Sequence, residues 1–214
     1  MIKTETELFA ELTAGGYSVG TVGNYEHFCA LADILGRTTT ISEICRDKRR
    51  KHMLKSNRAM TPHTDSPYVD FIAWYCARPS SQGGESLLVD VSAVINTLRR
   101  DHVIALQATA IRVPDVAKSS SQPATHALLS TDRVYYADWL VPAHVAAMPA
   151  LRAFRQAVRN TAWIRLSLRA GQALIIDNRR ILHGRTSFQD SGGQSRLLIR
   201  HWIVSDRPHR FLHN

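Results

Sequence analysis

The stretch MTPHTDSPYVDF, residues 60–71, places a histidine and an aspartate two positions apart in a segment rich in β-branched and aromatic residues. In an extended strand, residues i and i+2 point to the same face, so the side chains of His63 and Asp65 would converge on one point. Imidazole nitrogen and carboxylate oxygen both bind divalent transition metals. The sequence therefore predicts part of a metal site here and requires a third ligand from elsewhere in the chain.

The candidate for that third ligand is His183, in the segment DNRRILHGRTSF. Two histidines and one carboxylate form the facial triad of non-haem Fe(II) oxygenases, which leaves coordination positions open for a co-substrate and dioxygen. The chain contains 10 histidines. On these three residues alone, a chance pairing in which His63 and His183 are merely hydrogen-bonded stays open.

Two arginines follow His183 in the apolar segment SRLLIRHWIV. If this segment is a strand, Arg196 and Arg200 lie on one face of it. A buried charge without a partner is costly, and a guanidinium matches a carboxylate with two parallel hydrogen bonds. The pattern predicts that one arginine holds a co-substrate carboxylate and that the other is free for an acidic group of the substrate. The alternative is that acids of the protein itself pair with both.

Length and composition indicate the class of protein. The 214 residues suffice for one domain with a full core, and 44% hydrophobic and 21% charged residues are typical of a soluble globular chain. No apolar run approaches the roughly 20 residues that cross a bilayer. The N-terminus lacks the apolar core of a signal peptide. We expect a single cytoplasmic domain over residues 1–214.

Charge and cysteine content narrow the classes further. The net charge is +9, and the densest basic cluster is RDKRRKHMLK, residues 46–55. This cluster has no interleaved aromatic residues for base stacking, so a solvated face or an active-site rim is favoured over a phosphate site or a nucleic-acid surface. Cys29, Cys45 and Cys76 are too few and too dispersed for a disulfide framework, and we expect reduced, mostly buried thiols.

The spacing of apolar residues predicts the elements that must position these side chains. Helices are predicted over residues 5–13 and 24–36, and the Ser- and Pro-rich segment 115–130 is predicted to be a long loop. Further helices are predicted at 92–101, with Ser92 as N-cap, and at 142–160. Strands are predicted at 17–22, 68–79, 83–91, 102–114, 132–138, 163–178 and 196–203, and His183 is placed at the end of a separate strand. Many strands with a few helices indicate a sandwich or barrel with helical decoration.

Four stretches together carry a family resemblance: HTDSPY, GGESLLVD, DNRRILHGRTSF and SRLLIRHWI. In this order they resemble the signature of the Fe(II)/2-oxoglutarate-dependent oxygenases of the TauD/TfdA superfamily. They are particularly similar to the gamma-butyrobetaine and trimethyllysine hydroxylases and to the clavaminate-synthase-like amino-acid hydroxylases. The matching motifs cover roughly residues 63–91 and 173–203. The resemblance implies a mainly β fold with helices (α+β), namely a double-stranded β-helix or jelly roll.

The same resemblance implies the metal and its ligands. It implies that His63, Asp65 and His183 bind Fe(II). Halogenating relatives lack the carboxylate ligand and place a halide in its position, so the presence of Asp65 argues against a halogenase.

The resemblance also implies which residues hold the two organic molecules. Arg196 is expected to hold the distal carboxylate of 2-oxoglutarate. In the run Gly83-Gly84-Glu85-Ser86, Ser86 stands where the family's threonine usually hydrogen-bonds the same carboxylate, and its hydroxyl can do likewise. Arg200 occupies the position that often meets the acidic group of the substrate.

The implied reaction is the oxidation of an unactivated C–H bond, by default a hydroxylation, with Fe(II), 2-oxoglutarate and O2 and with release of succinate and CO2. We expect a small-molecule substrate, an amino acid or betaine-like amine-containing acid, and neither nucleic acid nor membrane as partner; a homo-oligomer is possible. The loop 115–130 is expected to be a lid over the iron site.

Three alternatives to this function stay open. One is the same chemistry on a carrier-bound aminoacyl substrate, with the basic cluster 46–55 meeting an acidic carrier protein. The others are a non-catalytic jelly-roll binding protein and a basic nucleic-acid-binding protein.

Overall fold

The structure is a computed structural model that describes residues 3–45, 56–112, 125–191 and 195–206. The basic cluster 46–55 and residues 115–124 of the expected lid lie outside these ranges. The α-helices are α1 Glu5–Gly15, α2 Tyr25–Leu35, α3 Val91–Ile95, α4 Arg100–Gln107 and α5 Met148–Asn160, and a short 3-10 helix spans Val145–Ala147. None of the helices in the described ranges is both long and apolar enough to cross a membrane.

The strands form two main antiparallel sheets and two small ones. The strands are β1 Tyr17–Thr21, β2 Arg37–Cys45, β3 Met60–His63, β4 Phe71–Arg78, β5 Gln82–Gly83, β6 Ser86–Asp90, β7 Ala110–Arg112, β8 His126–Ala127, β9 Val141–Pro142, β10 Ile164–Leu166, β11 Gln172–Asp177, β12 Ile181–Arg185, β13 Phe188–Gln189 and β14 Leu197–Val204. The major sheet has the order β1-β11-β4-β14-β2, and the minor sheet has the order β10-β6-β12-β3. Strands β5 and β13 pair in one small sheet, and β8-β7-β9 form the other.

The two main sheets pack face to face and enclose an apolar core. Ile72 and Leu174 of the major sheet meet Leu88 and Ile181 of the minor sheet in this core. In both main sheets, strands that are neighbours in space are far apart in the chain, as in a double-stranded β-helix. The expected jelly roll is therefore confirmed. The two histidine candidates lie on strands β3 and β12 of the minor sheet, and Asp65 lies just beyond the end of β3. The two candidate arginines lie in or beside β14 of the major sheet.

Helices cover the outer faces of both sheets. Helices α1 and α2 cover the major sheet, where Phe28 is fully buried against Phe71 and Ile175. Helices α3, α4 and α5 cover the minor sheet through Leu106 and Phe154. Because β11 is covered on both sides, its sequence is a continuous apolar run rather than an alternating one. Each fully buried large apolar side chain contributes about 1.5–3 kcal/mol relative to an exposed one.

The first two helices begin at residues whose side chains cap them. The Thr4 hydroxyl accepts from the backbone N–H of Glu7, whose carboxylate accepts from the backbone N–H of Thr4. Asn24 caps α2 by accepting from the backbone N–H of His27 at 2.9 Å. Helix α1 ends at Gly15, and its C-cap Gly16 has φ 72°, where a side chain would meet Ile181 at 2.6 Å. These caps fix where the helices start and end on the major sheet.

Several predicted elements around residue 100 are wrong. Residues 100–107 form helix α4 instead of part of a strand over 102–114, and only Ala110–Arg112 is a strand. The apolar run VIAL fits both periodicities, and packing of Leu106 into the core with α5 decides for the helix. The N-cap of α3 is Asp90, which accepts from the backbone N–H of Ser92, so the predicted cap at Ser92 is wrong as well.

The segment from 125 to 138 also differs from prediction. Residues 126–127 form strand β8, and Leu128 and Leu129 are buried, so the C-terminal part of the predicted loop 115–130 belongs to the core. The predicted strand 132–138 is absent from the described residues, where Val134 makes only an isolated bridge with Leu129. The backbone N–H of Val134 donates to the Arg179 carbonyl instead of to a strand partner. The apolar side chains of Val134 and Tyr136 are buried in the core under the helical layer without a strand ladder.

Candidate active site

The three predicted metal ligands converge at one point. Nε2 of His63 and Nε2 of His183 each lie 3.7 Å from Oδ1 of Asp65. His63 is the last residue of β3 and pairs directly with His183 of β12. Asp65 lies just beyond the end of β3, so the expected extended strand stops before it. One donor atom from each residue lies within 4.8 Å of the others, a spacing that could hold a metal ion.

The two imidazoles are held in the state that binds a metal. Nδ1 of His63 donates to the Thr61 carbonyl at 2.8 Å, which leaves the lone pair on Nε2. Burial lowers the pKa of His63. Burial, with the neighbouring His63 ring, lowers the pKa of His183 to about 3. Both rings are therefore neutral at pH 7.

The carboxylate of Asp65 uses its two oxygens differently. Oδ1 faces the histidines, whereas Oδ2 accepts from Nη1 of Arg200 at 2.9 Å and from the indole Nε1 of Trp202 at 2.7 Å. Burial alone would raise the pKa of Asp65, but the charge of Arg200 and the hydrogen bond from Trp202 stabilise the carboxylate, and the pKa lies below its usual value. Two neutral imidazoles and one ionised carboxylate are the donor set of a non-haem Fe(II) site, so these residues fit iron.

An amide fixes the chain on which Asp65 sits. Oδ1 of Asn178 accepts from the backbone N–H of Asp65 at 2.9 Å. Nδ2 of Asn178 donates to the carbonyls of Val69 at 2.9 Å and Ser66 at 3.2 Å. Asn178 lies in the turn between β11 and β12, five residues before His183. This buried side chain therefore ties the loop that carries Asp65 to the hairpin that carries His183.

A small cavity of about 50 Å³ opens beside two of the ligands, His63 and His183, which help to line it. Its charged lining among the described residues is cationic, with Arg185, Arg196 and Arg200 and no acid. The other lining residues are Ile44, Met60, His63, Trp74, His183, Gly184 and Leu198. Three guanidinium groups favour anionic molecules in this space, and a divalent cation held by the three ligands would add to this preference.

Arg196 is a buried cation without an anionic partner at hydrogen-bond distance among the described residues. It is 5% exposed, and its Nη1 is buried with no hydrogen-bond partner in the described part of the chain. Burial lowers the pKa of Arg196. Its guanidinium carbon lies 5.3 Å from the centre of the Phe188 ring. The group is thus placed and desolvated for an anion that enters the cavity.

Arg200 differs from the expectation that it is free for a second anion. It is 5% exposed and lines the cavity, but its Nη1 forms the ion pair with Asp65. Its Nε is buried and has no hydrogen-bond partner among the described residues. One edge of the Arg200 guanidinium is therefore paired with an acid of the protein, as the alternative prediction had it. The other edge is available for an anion in the cavity.

Ser86 lies one strand away from this cavity. It begins β6 and pairs directly with Arg185, while Leu88 pairs with His183. Side chains of directly paired residues lie on one face, so Ser86 faces the same side of the minor sheet as His183. It is not among the residues that line the cavity in the described part of the chain.

Three tryptophans surround the ligands, and the sequence analysis gave none of them a role. The Trp139 ring lies 5.2 Å from the His63 ring and is 39% exposed, at the edge of the site. The Trp74 ring lies 5.1 Å from the His183 ring. Trp202 lies two residues after Arg200 in the same strand, so the sequence could have placed its side chain on the same face as Arg200. Trp139 lies outside any periodic segment, so the sequence gave no such indication for it.

Comparison with known proteins agrees with this geometry. Residues 25–202 match the family described as Taurine catabolism dioxygenase TauD, TfdA family, so the chain belongs to this family. It is an Fe(II)/2-oxoglutarate-dependent dioxygenase with a small-molecule substrate, and O2 is its second co-substrate. The expected superfamily and chemistry are confirmed, while the finer likeness to butyrobetaine and clavaminate enzymes stays a prediction.

Individual relatives extend this comparison. A curated protein from Streptomyces sp named uridine-5'-phosphate dioxygenase is 29% identical, over 75% of this chain and 68% of its own length. The structure of an asparagine oxygenase with Fe(II), 3-hydroxyasparagine and succinate has a TM-score of 0.76 at 19% identity, over 94% of this chain and 79% of that one. The oxygenase OrfP with Fe and alpha-ketoglutaric acid has a TM-score of 0.77 at 17% identity, over 94% of this chain and 78% of that one. The asparagine oxygenase and OrfP therefore have the same fold as this chain.

Proposed function

We propose that this dioxygenase hydroxylates an unactivated C–H bond of a small amino acid or amine-containing acid, with Fe(II) bound by His63, Asp65 and His183. The observation that carries the proposal is the convergence of these three donors beside a cavity whose charged lining is cationic. Iron, when bound, supplies the activation of dioxygen that is coupled to the conversion of 2-oxoglutarate to succinate and CO2. The protein's own side chains bind and orient the co-substrate and the substrate.

Arg196 is proposed to hold the distal carboxylate of 2-oxoglutarate. Its Nη1 is buried and unpartnered among the described residues, so a carboxylate there gains charge-assisted hydrogen bonds and relieves an uncompensated charge. Ser86 is proposed to add a hydroxyl donor to the same carboxylate. Its position on the face that carries His183 supports this role.

Arg200 is proposed to bind the acidic group of the substrate through the edge that Asp65 does not occupy. Its unpartnered Nε supports this role. The fold neighbours that were crystallised with hydroxylated asparagine and hydroxylated arginine support an amino acid as the substrate class. Trp139, half-exposed against His63, is proposed to form the wall past which the substrate enters.

A nucleoside monophosphate is the second candidate substrate. It is favoured by the 29% identity to the uridine-5'-phosphate dioxygenase, compared with 16–19% for the asparagine oxygenase and OrfP structures. Guanidinium groups bind phosphate as readily as carboxylate, so the cavity suits either anion. The two candidates differ in whether the anion at Arg200 is a carboxylate or a phosphate.

A substrate screen that follows succinate release decides between them. The purified Fe(II) protein is supplied with 2-oxoglutarate, O2 and single compounds from three groups: free amino acids and betaines, nucleoside 5'-monophosphates, and carrier-bound aminoacyl thioesters. We expect an amino acid to stimulate succinate release and to gain one oxygen atom, with no stimulation in His183→Ala. Stimulation by a nucleotide alone, or by carrier-bound substrates alone, would overturn the amino-acid proposal. Iron binding without any turnover would support the non-catalytic binding protein instead.

A lid over the iron site remains part of the proposal. Residues 126–130 are folded, with Leu128 and Leu129 in the core, which leaves residues 115–124 as the segment that would close. Hydrogen exchange should slow in 115–124 when metal, 2-oxoglutarate and substrate bind, and equal exchange in both states would contradict a lid.

A single cytoplasmic domain over residues 1–214 that binds neither nucleic acid nor membrane also remains a proposal.

A further inference from the structure

We infer that Trp202 is a positioning residue that keeps Asp65 monodentate toward the metal. Its indole Nε1 donates to Oδ2 of Asp65 at 2.7 Å, and Nη1 of Arg200 donates to the same oxygen at 2.9 Å. Oδ1 is the oxygen that faces both histidines, at 3.7 Å from each Nε2. One carboxylate oxygen is therefore reserved for the protein and the other for the metal.

The hydrogen bonds oppose a second metal–carboxylate contact. For Asp65 to bind the metal through both oxygens, the carboxylate would have to turn Oδ2 toward the histidines. That rotation would break the bonds from Trp202 and Arg200 and leave both donors unsatisfied in a site where Asp65 is about nine-tenths buried. The arginine also stacks over the indole, with 4.9 Å between its guanidinium carbon and the ring centre, so the two donors hold each other in place.

The consequence concerns coordination positions. A facial triad leaves open positions that 2-oxoglutarate and dioxygen require. A bidentate Asp65 would take one of these positions from the co-substrate. Trp202 therefore favours 2-oxoglutarate binding although it lies outside the metal's own ligand set. This inference rests on the proposed assignment of His63, Asp65 and His183 as ligands.

Trp202 isolates this effect better than Arg200. Arg200 carries a charge that attracts anions and is also the proposed substrate ligand, so its variants would change several properties at once. Trp202→Phe removes one N–H donor and no charge. Trp202→Met is a second donor-free variant in case phenylalanine packs poorly. Trp163→Phe is the matched control, because its indole donates to the Val158 carbonyl at 2.9 Å in the helical layer outside the minor sheet.

The test measures two dissociation constants without turnover. Co(II) replaces Fe(II), and the Kd of Co(II) is measured first. The Kd of 2-oxoglutarate is then measured at saturating Co(II) from the change in the cobalt absorption spectrum, while thermal unfolding confirms that each variant is folded. We expect Trp202→Phe and Trp202→Met to weaken 2-oxoglutarate binding about tenfold, with a Kd for Co(II) equal to or lower than that of the wild type. Trp163→Phe should leave both constants unchanged.

Two outcomes would overturn the inference. An unchanged Kd for 2-oxoglutarate in folded Trp202→Phe would show that the indole does not protect a coordination position. Weaker Co(II) binding with unchanged 2-oxoglutarate binding would show that Trp202 only holds Asp65 for the metal. Failure of the wild type itself to bind Co(II), or unimpaired binding in His183→Ala, would contradict the ligand assignment instead, so the two failures are distinguishable.

Discussion

Replacing Arg196 by methionine should weaken 2-oxoglutarate binding strongly and leave the metal-free protein at least as stable. A pair of charge-assisted hydrogen bonds to a carboxylate is worth about 2 to 3 kcal/mol here, because the guanidinium is 5% exposed and desolvated. At about 1.4 kcal/mol for each factor of ten, the Kd of 2-oxoglutarate should rise roughly 30- to 150-fold.

The expected stability change has the opposite sign, which makes the variant informative. In the metal-free protein the Arg196 guanidinium is a buried cation with an unpartnered Nη1 among the described residues. Methionine has a similar length, carries no charge and can pack against Leu198 and Phe188. We therefore expect an equal or higher midpoint of thermal unfolding. Loss of 2-oxoglutarate binding in this variant then cannot be attributed to unfolding.

The assay follows 2-oxoglutarate binding to the Co(II) protein and the KM for 2-oxoglutarate in succinate release. Arg196→Lys keeps the charge but not the planar fork, so its Kd should lie between those of the wild type and Arg196→Met. Arg159→Ala removes an equal charge from the exposed side of α5 and serves as the control. A Kd in Arg196→Met within about threefold of the wild type would show that the co-substrate is held elsewhere. A large fall in the unfolding midpoint would refute the argument about the unpaired charge.

Three further predictions concern the ligands and the mouth of the site. His183→Ala should abolish tight Co(II) binding, measured by titration, since it removes one of three donors; wild-type affinity would refute the triad. Asn178→Ala should lower the free energy of unfolding by about 1–3 kcal/mol and also weaken Co(II) binding, because it frees the loop that carries Asp65; lost stability with unchanged Co(II) affinity would contradict its positioning role. Trp139→Ala should raise the KM of the organic substrate and leave the Kd of 2-oxoglutarate unchanged, since the ring borders His63 at the exposed edge; equal changes in both constants would argue against a substrate wall.

The sequence alone determined the parts of the protein that depend on local spacing. His63 and Asp65 are two residues apart, so nearly any extended backbone brings their side chains to one side. Helices α1 and α2 follow from apolar spacing and from caps at Thr4 and Asn24, which act within one turn. The ordered motifs around His183 indicated the family, and the family implied the jelly roll.

Local spacing was insufficient where two structures suit the same residues. The run at 103–106 can be a strand or a helix, and contact of Leu106 with the α5 layer selects the helix. The apolar residues at 128–136 likewise do not show by themselves whether they pair as strands. Burial of Leu128 and Leu129 under the helical layer makes that choice, since it satisfies their apolar surface without a ladder.

Tertiary structure alone decided how the carboxylate of Asp65 is used. Its Oδ2 partners, Arg200 and Trp202, lie 135 and 137 residues away in the chain. The alternation in β14 placed these two side chains on one face, but an arginine on that face suits a substrate acid or a protein acid equally well. Only the packing of β14 beside the end of β3 brings them within hydrogen-bond distance of Asp65. Hydrogen bonds act over about 3 Å, so their partners depend on which distant strands become neighbours, and local sequence patterns do not encode that.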